Sequence, residues 1–290
     1  AACTFVVARA IVRDTTETQA SGSKIAYISM GTAICPMFGP ALGGLLDGWF
    51  GWEANFWFIG GLGFFILLIA YFDLGETVPE NTQGFRQQFS EYPELLLSRR
   101  FWGYCLASAF GAGAFFAYLG GGPFVGSIVY NLSPEMLGLY FGAPAIGYFF
   151  GNFLSGRFTI RFGIDAMILW GLWIIFSGLS LSMVCSYVGY GTVETFFGFM
   201  IFVGLGNGLT IPNATAGMLS VRPHLAGTAS GLGGAMMIAI GAALSTLAGA
   251  FLIPGSNEMP LLMLMWFSSL SGVAVIIYVR QRNKRLKKTV

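Results

Sequence analysis

The fifteen lysines and arginines of this 290-residue chain all fall on one side of an alternating series of apolar runs. The complete runs cover residues 24–46, 54–72, 101–127, 134–158, 167–187, 195–219, 226–253 and 261–279, after a shorter one that ends near residue 11. A run of about 18 residues or more crosses a hydrocarbon core of about 30 Å as a helix. Alternate connections carry Arg9, Arg13, Lys24, Arg86, Arg99, Arg100, Arg157, Arg161, Arg222 and the basic residues of 280–288. The remaining connections carry only acidic charge, from Asp47, Glu53, Glu135, Glu194 and Glu258. Basic residues near span ends mark the cytoplasmic face, and acidic ones matter little. The pattern therefore predicts eight complete spans and one partial span, with a cytoplasmic C-terminus. A miscounted span would scatter the basic residues to both sides.

Composition agrees with an all-α polytopic membrane protein. The chain is 55% hydrophobic and 10% charged, where soluble domains average about 25% charged. A membrane β-barrel needs alternating segments of about 10 residues, and none are present. The four cysteines (Cys3, Cys35, Cys105, Cys185) lie in apolar segments without metal spacing, and His224 is the single histidine, so no metal and no cofactor is expected. No Walker phosphate loop supports ATP-driven work. No polar catalytic cluster at an interface supports an enzyme. The basic segment from Arg280 to Lys288 reads as a topology anchor attracted to anionic lipid rather than a nucleic-acid contact.

The stretch Gly31 to Gly44 is apolar yet a poor isolated helix, because it holds Gly31, Gly39, Gly43, Gly44, Pro36 and Pro40. Membrane bundles tolerate such residues when neighbours re-satisfy the backbone. Small residues four apart, as Gly39 and Gly43, let a partner helix approach to backbone contact. Near the middle of other spans lie Asn207, Asn213, Tyr148, Asn152 and Tyr118. An amide or phenol in lipid needs a partner, so these face the bundle interior, either contacting a substrate or bonding another helix. Asp47, Glu53, Asp73, Asp165 and Glu194 all fall near span ends, so any proton-carrying carboxylate is expected elsewhere. Arg157 and Arg161 are one helical turn apart and can face one acidic partner or the carbonyl ends of neighbouring helices. They read either as a gate latch or as positive-side anchors.

Gly39-Pro40-Ala-Leu-Gly43-Gly44 resembles the fifth-helix antiporter motif of the major facilitator superfamily. Gly156-Arg157-x-x-x-Arg161-x-Gly163 looks like the second-half form of its cytoplasmic loop signature, and Arg9-Ala-Ile-Val-Arg13-Asp14 looks like the end of helix four in the bicyclomycin/chloramphenicol efflux group. The resemblance implies a helical bundle comprising about helices 4–12 of 12, lacking its N-terminal part. Residues 1–73 would be the remainder of the first six-helix half, 74–100 the inter-half loop, 101–279 the second half and 280–290 a basic tail. It implies proton-coupled drug efflux across a bacterial inner membrane by alternating access, through a monomer whose partners are lipid, protons and a small-molecule substrate. A dedicated metabolite exporter of the same superfamily is the alternative. Arg157, Arg161, Gly163 and Asp165, with Arg9, Arg13 and Asp14, would then form the cytoplasmic gate.

Overall fold

The computed structural model describes residues 39, 42–73, 93, 95–222, 225–253 and 255–288. Arg9, Arg13, Asp14 and Pro40, with the partial span that opens the chain, lie outside the described residues. Every regular element among the described residues is helical. Residues 42–50 form α1, and α2 is Glu53–Asp73. Then follow α3 (Arg99–Phe124), α4 (Pro134–Phe141), α5 (Ala143–Phe162), α6 (Ile164–Tyr187), α7 (Val193–Val221), α8 (Ala226–Phe251) and α9 (Met259–Lys288). Six stretches of helix among the described residues are long and apolar enough to cross a membrane.

Local chemistry sets the ends of these helices. Ser98, Ser133 and Thr192 sit in extended backbone, and each accepts from the backbone N–H three residues on, capping α3, α4 and α7. Between α5 and α6 the chain turns at Gly163, whose φ of +81° is open to glycine at little cost. Pro123, inside α3, cannot donate to the helical ladder, and the helix widens into a π turn over Val125–Val129. The 21 residues of α2, about 32 Å at 1.5 Å per residue, are apolar on every face and none is buried.

Two boundaries differ from the sequence reading. The run at 134–158 is not one helix but two, α4 and α5, parted at Gly142. Pro144 in the first turn of α5 cannot give an N–H to the preceding turn, so the ladder restarts there. The Tyr118 hydroxyl donates to the Phe141 carbonyl at the break, at 3.1 Å. At the other end, α9 does not stop at residue 279 but carries the basic segment in its last turns, through Lys288. Its Arg, Lys, Gln and Leu residues are good helix formers with no Gly or Pro among them.

The bundle is built around α3 and α7. α7 packs along α5, α6 and α3, while α3 also takes α8 and α9, and α9 closes onto α6. Along the α5–α7 seam, Gly147 and Gly151 face Gly204 and Gly208, small residues spaced four apart on both helices. A Cβ at Gly151 would lie 2.9 Å from the Gly208 Cα, and one at Gly208 would lie 2.7 Å from the Asn152 nitrogen. The backbones themselves are in contact, which only glycine permits. Around this seam Phe196, Phe197, Met200, Ile168, Leu172 and Ile175 are buried.

Candidate functional site

Polar side chains on α7 meet very different surroundings. Asn213 is 2% exposed and fully engaged. Its Nδ2 donates to the Ser155 hydroxyl of α5 and to the Leu209 carbonyl, each at 2.7 Å. Its Oδ1 accepts from the Thr159 hydroxyl at 2.8 Å. This residue bonds α5 to α7. Earlier on the same helix, Asn207 and Thr210 are as deeply buried, yet the Asn207 Oδ1 and the Thr210 hydroxyl oxygen have no partner. Both face glycines of neighbouring helices. A Cβ on Gly111 of α3 would lie 3.2 Å from the Asn207 Oδ1 and 3.3 Å from the Thr210 methyl, and Gly171 of α6 lies against the Thr210 hydroxyl. An unmade hydrogen bond in such a place costs about 1–3 kcal/mol per group.

The other mid-span candidates have local partners. Tyr118 is fully buried, its ring stacked on Phe141 with centroids 4.6 Å apart, and it braces the α4–α5 break. Asn152 donates back to the Tyr148 carbonyl at 2.8 Å, and both residues are half-buried on α5. Around the antiporter-like segment, a Cβ on Gly39 would meet nothing within 4 Å. One on Gly43 would touch the Asn55 Oδ1 at 3.4 Å, and the Asn55 amide donates to the Gly43 carbonyl at 3.2 Å. Gly44 makes the closest approach of the three, since its Cβ would lie 3.0 Å from the Gly138 Cα of α4.

At the basic end of the bundle, Asp165 opens α6, where the positive end of the helix dipole favours a carboxylate. Its Oδ1 accepts from the Tyr104 hydroxyl of α3 at 2.7 Å, and its Oδ2 accepts from the Asn283 amide of α9 at 2.9 Å. Asn283 also donates to the Tyr104 oxygen at 3.0 Å, so the triad locks α3, α6 and α9 together. Arg157 and Arg161 are both exposed, and the Arg161 guanidinium lies 5.3 Å from the Phe162 ring centre. Asp165 therefore binds Tyr104 and Asn283, while the two arginines it follows in sequence point into the open.

Three contributors escape sequence reasoning, Thr210, Tyr104 and Asn283, and Glu258 enters it only as a charge that marks its connection. Glu258 is 7% exposed at the acidic end, where its carboxylate accepts from the Ser186 hydroxyl. Burial, and then the nearby Glu258 charge, push the Tyr130 phenol above its ordinary pKa. Tyr130 and Asn283 each leave a buried oxygen unpartnered, a signal that only packing reveals.

The described helices form an α-helical membrane bundle whose α5–α7 seam is lined with glycine. Residues 1–246 match the Major Facilitator Superfamily, and the chain belongs to that family of transporters. It is 26% identical to the bicyclomycin resistance protein homolog of Haemophilus influenzae, over 97% of this chain and 71% of that protein. It is 30% identical to the chloramphenicol resistance protein of Pseudomonas aeruginosa, over 76% of this chain and 53% of that protein. Multidrug resistance protein D of Escherichia coli K12 is 26% identical, over 94% of this chain and 67% of that protein. In fold, the chain superposes with a TM-score of 0.57 on a bacterial homolog of the human lysosomal transporter Spinster, solved inward-facing and occupied. That match is 19% identical and covers 94% of this chain and 70% of the other.

Proposed function

We propose that this protein exports drugs or small amphipathic compounds across a bacterial inner membrane, exchanging them for protons by alternating access. The observation that carries the reading is the pair of unpartnered acceptors, Asn207 and Thr210, in the interior of a bundle whose family relatives are named for drug resistance. The Asn207 amide and Thr210 hydroxyl take a donor group of the substrate, and the surrounding apolar side chains take its hydrophobic body. Arg157, Arg161, Gly163 and Asp165 form the gate, with Gly163 as the pivot between α5 and α6. Gly39, Pro40, Gly43 and Gly44 serve as the antiporter seal, with Gly44 pressed against α4. The segregation of every basic residue supports a cytoplasmic C-terminus.

The test is accumulation of a fluorescent cationic drug in cells expressing the protein, with and without a proton uncoupler. The expected result is lowered accumulation that the uncoupler restores, and loss of most of the effect in Asn207→Leu. Export indifferent to the uncoupler would remove the proton from the reading. Failure of every drug tested, with the protein correctly inserted, would favour a dedicated metabolite exporter.

A further inference from the structure

A cavity of about 480 Å³ opens at the basic end of the bundle, where Ser98, Arg99 and Arg100 of the α3 start meet Arg222 at the end of α7 and Arg282 on α9. Its volume falls in the range of small-molecule sites, about 300–1,000 Å³. Three helices thus bring four guanidinium groups to one cavity, and no carboxylate lines it among the described residues. Guanidinium groups gathered at one cavity repel one another, and an anion between them reverses the sign of the interaction. Asp165, at the start of α6, is committed to Tyr104 and Asn283. The Arg100 guanidinium reaches toward the Tyr104 hydroxyl, and its Nε is buried without a partner. The 26-residue helix α3 adds the positive end of its dipole on the same side.

We propose that this cavity binds a phosphate group, carried by the headgroup of an anionic lipid or free in solution. Planar guanidinium forks suit phosphate oxygens because they donate in pairs. The site stands apart from the Asn207–Thr210 region and does not depend on what the protein exports.

The test uses the full chain purified in neutral detergent at 0.15 M salt, where loose surface attraction is largely screened. Phosphatidylglycerol, phosphatidylcholine and inorganic phosphate are titrated separately, with thermal unfolding and the number of retained lipids by native mass spectrometry as readouts. One retained phosphatidylglycerol with a raised unfolding temperature, absent with phosphatidylcholine, supports the headgroup source. Protection by inorganic phosphate, with displacement of the lipid, supports the free anion at the same site. In either case Arg100→Gln combined with Arg282→Gln is expected to weaken binding at least about tenfold. A Lys284→Gln, Lys287→Gln, Lys288→Gln variant, altered only at the helix end, is expected to bind as the parent does. If the double glutamine variant does not fold, Arg100→Lys with Arg282→Lys keeps the charge, loses the fork, and is expected to fold and bind more weakly. Binding unchanged in the arginine variants, binding lost only in the lysine variant, or no response to any phosphate would overturn the proposal.

Discussion

The Tyr104 hydroxyl donates to the Asp165 carboxylate at 2.7 Å across the α3–α6 interface, and these residues are 61 positions apart in the chain. Asn283 completes the triangle from α9. Hydrogen bonds to a charged group contribute about 1.5–3 kcal/mol. Asp165→Ala therefore is expected to lower thermal stability in detergent by about that amount, with Tyr104→Phe costing less because Asn283 still serves the carboxylate. A double-mutant cycle reads the coupling directly. Additive losses would mean that the two side chains do not act on each other.

Along the α5–α7 seam the glycines stand in for side chains that have no room. A Cβ at Gly204 would run into the Pro144 carbonyl, a rigid backbone atom rather than a movable side chain. Gly204→Leu is expected to cost about 3 kcal/mol or to leave no monodisperse protein on size exclusion. Gly198 is on the same helix with nothing within 4 Å of its would-be Cβ. Gly198→Ala is expected to gain about 0.5–1 kcal/mol, as alanine is the better helix former. The two changes separate close packing from propensity within one helix.

Glu135 is an exposed carboxylate in the first turn of α4, held below its ordinary pKa of 4.5 by backbone N–H donation and then by the Ser133 hydroxyl. With the folded-state value depressed, its contribution is fully present above the unfolded-state pKa and is lost as pH falls through the folded one. Parent and Glu135→Gln unfolding temperatures, followed from pH 7 downward, are expected to converge on the acid side. A gap of constant size would show that the charge of Glu135 does not support α4.

Most of the fold was legible because the length of an apolar run is itself the physical requirement for a span. The starts of α3, α6 and α7 fall within a few residues of the ends of the runs. The break at Gly142 was written in Pro144, but a glycine-rich apolar run hides a short interruption from any count of hydropathy. Asp165 is the instructive site residue. Its sequence neighbours Arg157 and Arg161 advertise an ion pair, while its actual partners come from 61 and 118 positions away. Adjacency in the chain cannot report that. Nor could it separate Gly39 from Gly44, since only the position of α4 decides which glycine is pressed against a backbone.

Asn207 and Asn213 look equivalent in sequence, two amides on one apolar helix, and packing makes them opposites. Asn213 uses its amide for bonds to Ser155, Thr159 and the Leu209 carbonyl. Asn213→Leu removes the bonds to Ser155 and Thr159 of α5 and is expected to cost about 1–3 kcal/mol, nearer the lower figure in a bilayer where interhelical bonds are weaker. Asn207 carries an acceptor with no partner. Asn207→Leu keeps the branching and the number of side-chain heavy atoms and is expected to be neutral or to stabilise by up to about 1 kcal/mol, because a buried polar atom without a bond is removed. Thermal unfolding of the two variants in one detergent, beside a drug-accumulation assay, gives both readouts. The amide that the fold uses should lose stability on replacement, and the amide whose oxygen the fold leaves unpartnered should lose transport at unchanged stability. A stability loss in Asn207→Leu as large as in Asn213→Leu would assign Asn207 to the scaffold and leave the interior without its polar contact.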